Sequence, residues 1–112
     1  MHVKFTATEA GFRKGIGGAS NSKSEEKHHY VLFGVQKDDM YPENSGVYFE
    51  YDDQSNGAIN SVKAVSIGDK SVVFKLKDES SVEVNCSVSA EQWDELQRGL
   101  RTVFPQNSEP SC

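Results

Sequence analysis

The apolar positions of this chain recur mostly at every second residue. Val3-Lys4-Phe5-Thr6-Ala7 alternates from the outset, as a strand with one packed and one wet face should. Val47-Tyr48-Phe49-Glu50-Tyr51 alternates again. Three runs then follow closely: Ser61 to Ile67, Ser71 to Lys77 and Ser81 to Val88. In the second, Val72, Phe74 and Leu76 point one way and Lys75 and Lys77 the other. In the third, Val82, Val84, Cys86 and Val88 share a face opposite Glu83 and Asn85. Gly68-Asp69 and Asp78 to Ser80 supply turn chemistry between them, so the three runs read as an antiparallel meander. Tyr30-Val31-Leu32-Phe33-Gly34-Val35 is almost continuously apolar, which suits a central strand covered on both faces.

One segment changes to the helical period. Trp93, Leu96, Leu100 and Val103 form a single stripe, the spacing of an amphipathic helix. Ser89 followed by Gln92 matches a capping box. Glu91, Asp94 and Glu95 lie near its start and Arg98 and Arg101 near its end, as the helix dipole favours. Pro105 stops it. Between these elements, residues 13–29 read as a flexible loop rich in Gly and Ser, and residues 38–45, with Pro42, as a second loop. Residues 52–57 form a turn with Asn56-Gly57 as its strongest element, and residues 106–112 a disordered tail. The expected fold is α+β: one domain over residues 1–105, a single antiparallel sheet of five to six strands packed by one C-terminal helix.

A length of 112 residues agrees with one domain and excludes a multidomain machine. No run approaches the ~20 apolar residues of a spanning helix. The start, MHVKFTATEAGF, lacks the basic and apolar pattern of a secretory signal. Cys86 and Cys112 form no CxxC or zinc spacing, which fits a reduced, cytoplasmic protein.

Catalytic signals are sparse. Gly15-Ile16-Gly17-Gly18 lacks the Walker pattern and its strand–loop–helix setting. His28 and His29 are adjacent, so on a strand they point to opposite faces and do not chelate one ion. A hydrolase built on Cys86 and a histidine needs an exposed thiolate, whereas Cys86 sits at a core phase. Asp52, Asp53 and Asn56 are oxygen donors, but the EF-hand spacing with its final Glu is missing. The expectation is a protein that is not an enzyme and uses no metal or cofactor.

Charge is the informative feature. The chain carries 12 basic and 17 acidic side chains, a net charge of −5, which argues against neutralising phosphates of nucleic acid. Residues 1–37 balance to +3 and residues 63–112 to −2, whereas residues 38–62 hold six acids and no base. Those acids are Asp38, Asp39, Glu43, Glu50, Asp52 and Asp53, interleaved with Tyr41, Tyr48 and Tyr51. Tyrosines supply interface anchors and carboxylates steer a cationic partner; the alternative is a solvated face that keeps the protein soluble.

Four stretches carry a resemblance: VKFTATEAGF at 3–12, YVLFGVQ at 30–36, NGAINSVKAVSIGDKSVVFKLKD at 56–78 and VSAEQWDELQRGLRTVF at 88–104. Together, spanning about half of the chain, they resemble the family-ten immunity proteins of bacterial polymorphic toxin systems. The resemblance implies a cytoplasmic antitoxin that binds its cognate toxin domain one to one and blocks it without turnover. Such toxins include nucleases delivered by contact-dependent growth inhibition, a ribonuclease foremost. The charge pattern, not the resemblance, then has Asp38, Asp39, Tyr41, Glu43, Tyr48, Glu50, Tyr51, Asp52 and Asp53 meet the toxin, with Glu25, Glu26, His28 and His29 as additional contacts. The rival reading is a module that binds a small ligand or single-stranded nucleic acid on an open sheet face through Phe33, Tyr48 and Phe49.

Overall fold

A computed structural model describes residues 2–21, 28–37, 39–42, 45–104 and 108–110. Its elements in chain order are β1 (His2–Ala7), β2 (Glu9–Arg13), β3 (Ile16–Ser20), β4 (Tyr30–Gln36), β5 (Gly46–Tyr51), β6 (Asp53–Ile59), β7 (Val62–Ile67), β8 (Ser71–Leu76), β9 (Ser81–Cys86), α1 (Ala90–Val103) and β10 (Ser108–Pro110). The α+β class stands, and an antiparallel sheet of five strands, β2-β3-β4-β5-β6, carries the helix. The meander belongs to a second sheet, ordered β1-β9-β8-β7-β10. Its middle strands are antiparallel, while β1 runs parallel to β9 and β10 parallel to β7.

Alternation fixes which residues of a strand face the core, but not which sheet the strand joins. The need for a second layer is geometric. A helix of 14 residues is about 21 Å long and about 10 Å wide, and so covers roughly two strands spaced about 4.8 Å apart. Here α1 packs on β2 and β3 and reaches β4. The rest of that sheet's inner face is closed by the other sheet. Phe49 of β5 meets Phe74 of β8 at 4.7 Å between ring centroids, and Phe33 of β4 lies 6.3 Å from Phe74. Phe104, just past the helix, seals the junction at 5.6 Å from Phe33 and 6.2 Å from Phe74. The chain passes from one sheet to the other at Thr8, whose N–H donates to the Ser20 carbonyl at 2.8 Å.

The helix forms where its pattern placed it. The Ser89 hydroxyl accepts from the Gln92 N–H at 3.2 Å, and Trp93, Leu96, Leu100 and Val103 are buried. Gly99 is buried with them because a Cβ there would run into the Phe12 ring.

Several expectations are corrected. Half of the expected loop at 13–29 is the β2–β3 hairpin, turned at Lys14 and Gly15 with φ of 55° and 81°. Paired positive φ is what a two-residue hairpin needs. IGGAS looked like a loop because it has so few side chains. Gly17 points inward, however, where a Cβ would collide with the Phe33 ring. Residues 22–27 lie outside the described residues. Asn56-Gly57 is inside β6 and is not the turn; the chain reverses at Asp52, with φ of 63°. The tail is not wholly without structure, since β10 pairs with Val65 to Ile67 of β7. That edge otherwise offers unpaired backbone groups. Finally, β4 is central, but among the described residues only one of its faces is covered.

Candidate partner-binding face

Strand alternation sorts β4 and β5 into two sides. Val31, Phe33, Phe49 and Tyr51 point into the core and are buried. Tyr30, Leu32, Gly34, Tyr48 and Glu50 point the other way, with Leu32 opposite Glu50 and Gly34 opposite Tyr48. Ile16 and Gly18 of β3 extend this outer face across the ladder. Among the described residues no element packs on it. Leu32 is 36% exposed and Ile16 56%.

Glu50 is nonetheless only 7% exposed, because two tyrosines close over it. The Tyr48 hydroxyl donates to Glu50 Oε1 at 2.5 Å and the Tyr30 hydroxyl donates to Oε2. Each carboxylate oxygen therefore has its own donor, the condition for burying an ionised carboxylate. Tyr48 fits because it lies against Gly57, where any Cβ would collide with it. The phenols respond. Burial, then the hydrogen bond and negative charge of Glu50, holds Tyr30 well above the ordinary phenol range. The Glu50 hydrogen bond, then burial, raises Tyr48.

Asp52 sits at the reversal beside this pair. Its Oδ2 lies 2.9 Å from His29 Nδ1, and its Oδ1 accepts the Tyr30 N–H at 3.2 Å. His29 is fixed by its backbone N–H, which donates to Asn21 Oδ1 at 2.7 Å, and by stacking on Phe5 at 5.5 Å. His28 stacks on Tyr30 at 5.8 Å. Asp53 is exposed, and its Oδ1 accepts the Ser55 N–H at 3.0 Å. Among the described residues no lysine or arginine forms an ion pair with Glu50, Asp52 or Asp53. Among the described residues, His29 is thus the one basic side chain paired with this group. Tyr51 registers the same field: burial, then Asp78 and Asp52, raises its phenol.

The acidic run of the sequence therefore becomes two places. His28, His29, Glu50, Asp52 and Asp53 gather at one end of β5. Asp39 and Tyr41 stand exposed in the β4–β5 connection at the other end, about 20 Å away along a six-residue strand. Tyr48 lies between them. Tyr51 belongs to neither: its inward phase buries it at 7% exposure, so its ring is core and not contact. Asp38, Glu43, Glu25 and Glu26 lie outside the described residues.

The sequence reading missed the apolar half of the face. Ile16, Leu32, Val35, Met40 and Tyr41 are the exposed large hydrophobics among the described residues. Ile16 and Leu32 lie on this face, Val35 has the phase of Phe33 at the end of β4, and Met40 and Tyr41 are in the β4–β5 connection. Two shallow hollows of about 340 and about 240 Å³ flank Leu32. The signal was the unbroken apolar run of β4, whose outward residues had no assigned cover.

The other candidate chemistries fare differently. Phe33 and Phe49 are 1% and 0% exposed, so of the three aromatics expected on an open face only Tyr48 remains there. Gly15-Ile16-Gly17-Gly18 makes a hairpin turn and strand, not a loop leading into a helix. Asp52, Asp53 and Asn56 do not converge: each carboxylate serves its own local contact, and the Asn56 amide donates to the Tyr51 carbonyl at 2.9 Å. Among the described residues no three His, Cys, Asp or Glu side chains cluster as a metal site. Cys86 faces the core, and burial pushes its thiol up to about 11, which keeps it protonated and unreactive near neutral pH. No helix among the described residues is long and apolar enough to cross a membrane.

Comparison with protein-family models, curated proteins and solved structures finds no match to this chain.

Proposed function

We propose that this chain is a cytoplasmic immunity protein that neutralises a bacterial toxin domain by occupying it, in a 1:1 complex without cofactor or turnover. One observation carries the reading: a sheet face on which, among the described residues, no element packs and no lysine or arginine forms an ion pair with Glu50, Asp52 or Asp53. A protein surface of that kind is completed by a cationic partner, which it attracts at long range and orients on approach. A nuclease toxin has such a surface, because its groove must hold a polyanion. Carboxylates at the two ends of β5 would stand where backbone phosphates otherwise lie. The resemblance of the four stretches to family-ten immunity proteins supports the same reading, and a ribonuclease delivered by contact-dependent growth inhibition is the favoured target.

The test is co-expression with the polymorphic toxin domain encoded beside this chain's gene. The reading expects growth to be rescued and the two chains to co-purify in equal amounts. Growth arrest with no complex would refute it.

A further inference from the structure

We propose that the hollow between β6 and the end of β8 binds a free α-amino acid with a neutral polar side chain, its ammonium held by Asp78, its carboxylate by Lys77 and its side chain by the Tyr51 hydroxyl. Such a site lies between the two sheets, apart from the outer face of β4 and β5, and does not depend on the immunity reading.

The hollow measures about 330 Å³. One wall is β6 from Ser55 to Ala58, the other is Leu76, Lys77 and Asp78 of the second sheet, and Tyr51 and Ser61 complete the lining. Hydrogen bonds hold these walls in place. The Lys77 N–H donates to the Ser61 carbonyl at 2.9 Å, and the Asn56 amide donates to the Tyr51 carbonyl at 2.9 Å. Sites for small ligands are largely preformed in this way, with an apolar lining and a few polar groups that set orientation. Leu76 and Ala58 supply the apolar part.

Two hydroxyls at this hollow lack partners. Tyr51 is only 7% exposed, yet its hydroxyl bonds to no group among the described residues. Ser61 Oγ is buried with no hydrogen-bond partner. Buried polar groups in native proteins are nearly always bonded, so unmet hydroxyls beside one hollow mark the place where a polar ligand is received. Burial, then Asp78 and Asp52, raises the Tyr51 phenol, which keeps it protonated and able both to donate and to accept.

Charge selects the class of ligand. Lys77 and Asp78 are exposed at the rim with opposite charges, and among the described residues neither is in an ion pair. Hydrogen bonds from the Ser80 backbone N–H and hydroxyl hold the Asp78 carboxyl below the usual carboxylate range. A simple amine meets Lys77 as a like charge, and a simple carboxylate meets Asp78 as one. A zwitterion complements both. An α-amino acid carries its two charges on one carbon, and Lys77 and Asp78 are consecutive residues. Its side chain then reaches Tyr51, whose free hydroxyl favours an amide or hydroxyl over hydrocarbon.

The test is titration of the isotope-labelled full chain with L-glutamine, followed by amide NMR signals, with L-leucine, methylammonium and acetate as comparisons. L-glutamine should give saturable shifts at Ser55 to Ala58, Lys77 and Asp78, L-leucine should bind more weakly, and the two single-charge ions should not bind. Tyr51→Phe removes only the unpartnered hydroxyl, so the thermal midpoint should hold while affinity for L-glutamine falls about tenfold, to that for L-leucine. Asp78→Asn keeps an acceptor for the Ser80 N–H and should abolish saturable binding of both amino acids. No saturable shift with either amino acid at millimolar concentration overturns the site. Binding of methylammonium or acetate as tight as that of L-glutamine overturns the zwitterion. L-leucine binding as tightly as L-glutamine, or unchanged L-glutamine affinity in both folded variants, overturns the roles given to Tyr51 and Asp78.

Discussion

At the scale of single residues, the decisive group is Glu50. Its position in an alternating strand was plain, but its burial was not, because that depends on Tyr30 arriving from β4 and Tyr48 from its own strand. The two phenols hold their protons more tightly than in the unfolded chain, where they titrate near about pH 10. Above that pH the unfolded state releases protons that the folded state keeps, so stability falls as pH rises through about 10 and beyond. Glu50→Gln removes the negative charge and the strong acceptor. Ultraviolet titration should then show Tyr30 and Tyr48 ionising at lower pH than in the wild type, with Tyr30 remaining partly raised because burial is its first cause.

The two neighbouring aspartates had looked interchangeable in sequence and are not so in the fold. Asp52 carries the turn, pairs with His29 and accepts from the Tyr30 backbone, so Asp52→Lys should cost about 1–3 kcal/mol and lower the thermal midpoint. Asp53 is exposed, and Asp53→Lys should change stability by no more than about 0.5 kcal/mol. That variant should instead slow association with a cationic partner, most clearly at low salt. Thermal melts and stopped-flow association rates together check this contrast. Tyr51 shows the limit of reading by composition: it shares the acidic neighbourhood of Tyr48, but a shift of three positions along the strand places it in the core.

At the scale of elements, what was legible is what short-range pattern dictates. The strands of β7, β8 and β9, the turns between them and the whole of α1 follow from period and capping. The β2–β3 hairpin was not legible because Gly17 and Gly18 leave no alternation to read, although backbone pairing forms without side chains. The reversal at Asp52 was hidden by the stronger turn signal of Asn56-Gly57, which the pairing of β6 with β5 overrides. The helix yields the sharpest stability prediction. Trp93 is 8% exposed and belongs to the stripe that closes one end of the antiparallel sheet. Trp93→Ala should destabilise by about 3–5 kcal/mol in chemical denaturation. It should reduce protection against a toxin only as far as the folded fraction falls.

At the scale of the whole molecule, the two-sheet arrangement explains why one face has no cover among the described residues. The apolar faces of both sheets and the helix close on each other around Phe33, Phe49, Phe74 and Phe104. The antiparallel sheet is thereby covered on one side, and among the described residues no element packs on the other and no lysine or arginine pairs with its Glu50, Asp52 or Asp53. Sequence alone supplied the charge imbalance and one apolar run too many for a half-covered sheet. It did not show that the acidic run divides between the two ends of β5, because that needs the strand to be laid out in space. The most direct measurement is a calorimetric titration of the chain into the neighbouring toxin domain at low and at physiological salt. The account predicts a tight 1:1 complex that weakens as salt rises, since exposed carboxylates contribute to it. No heat of binding at either salt concentration would contradict the central claim.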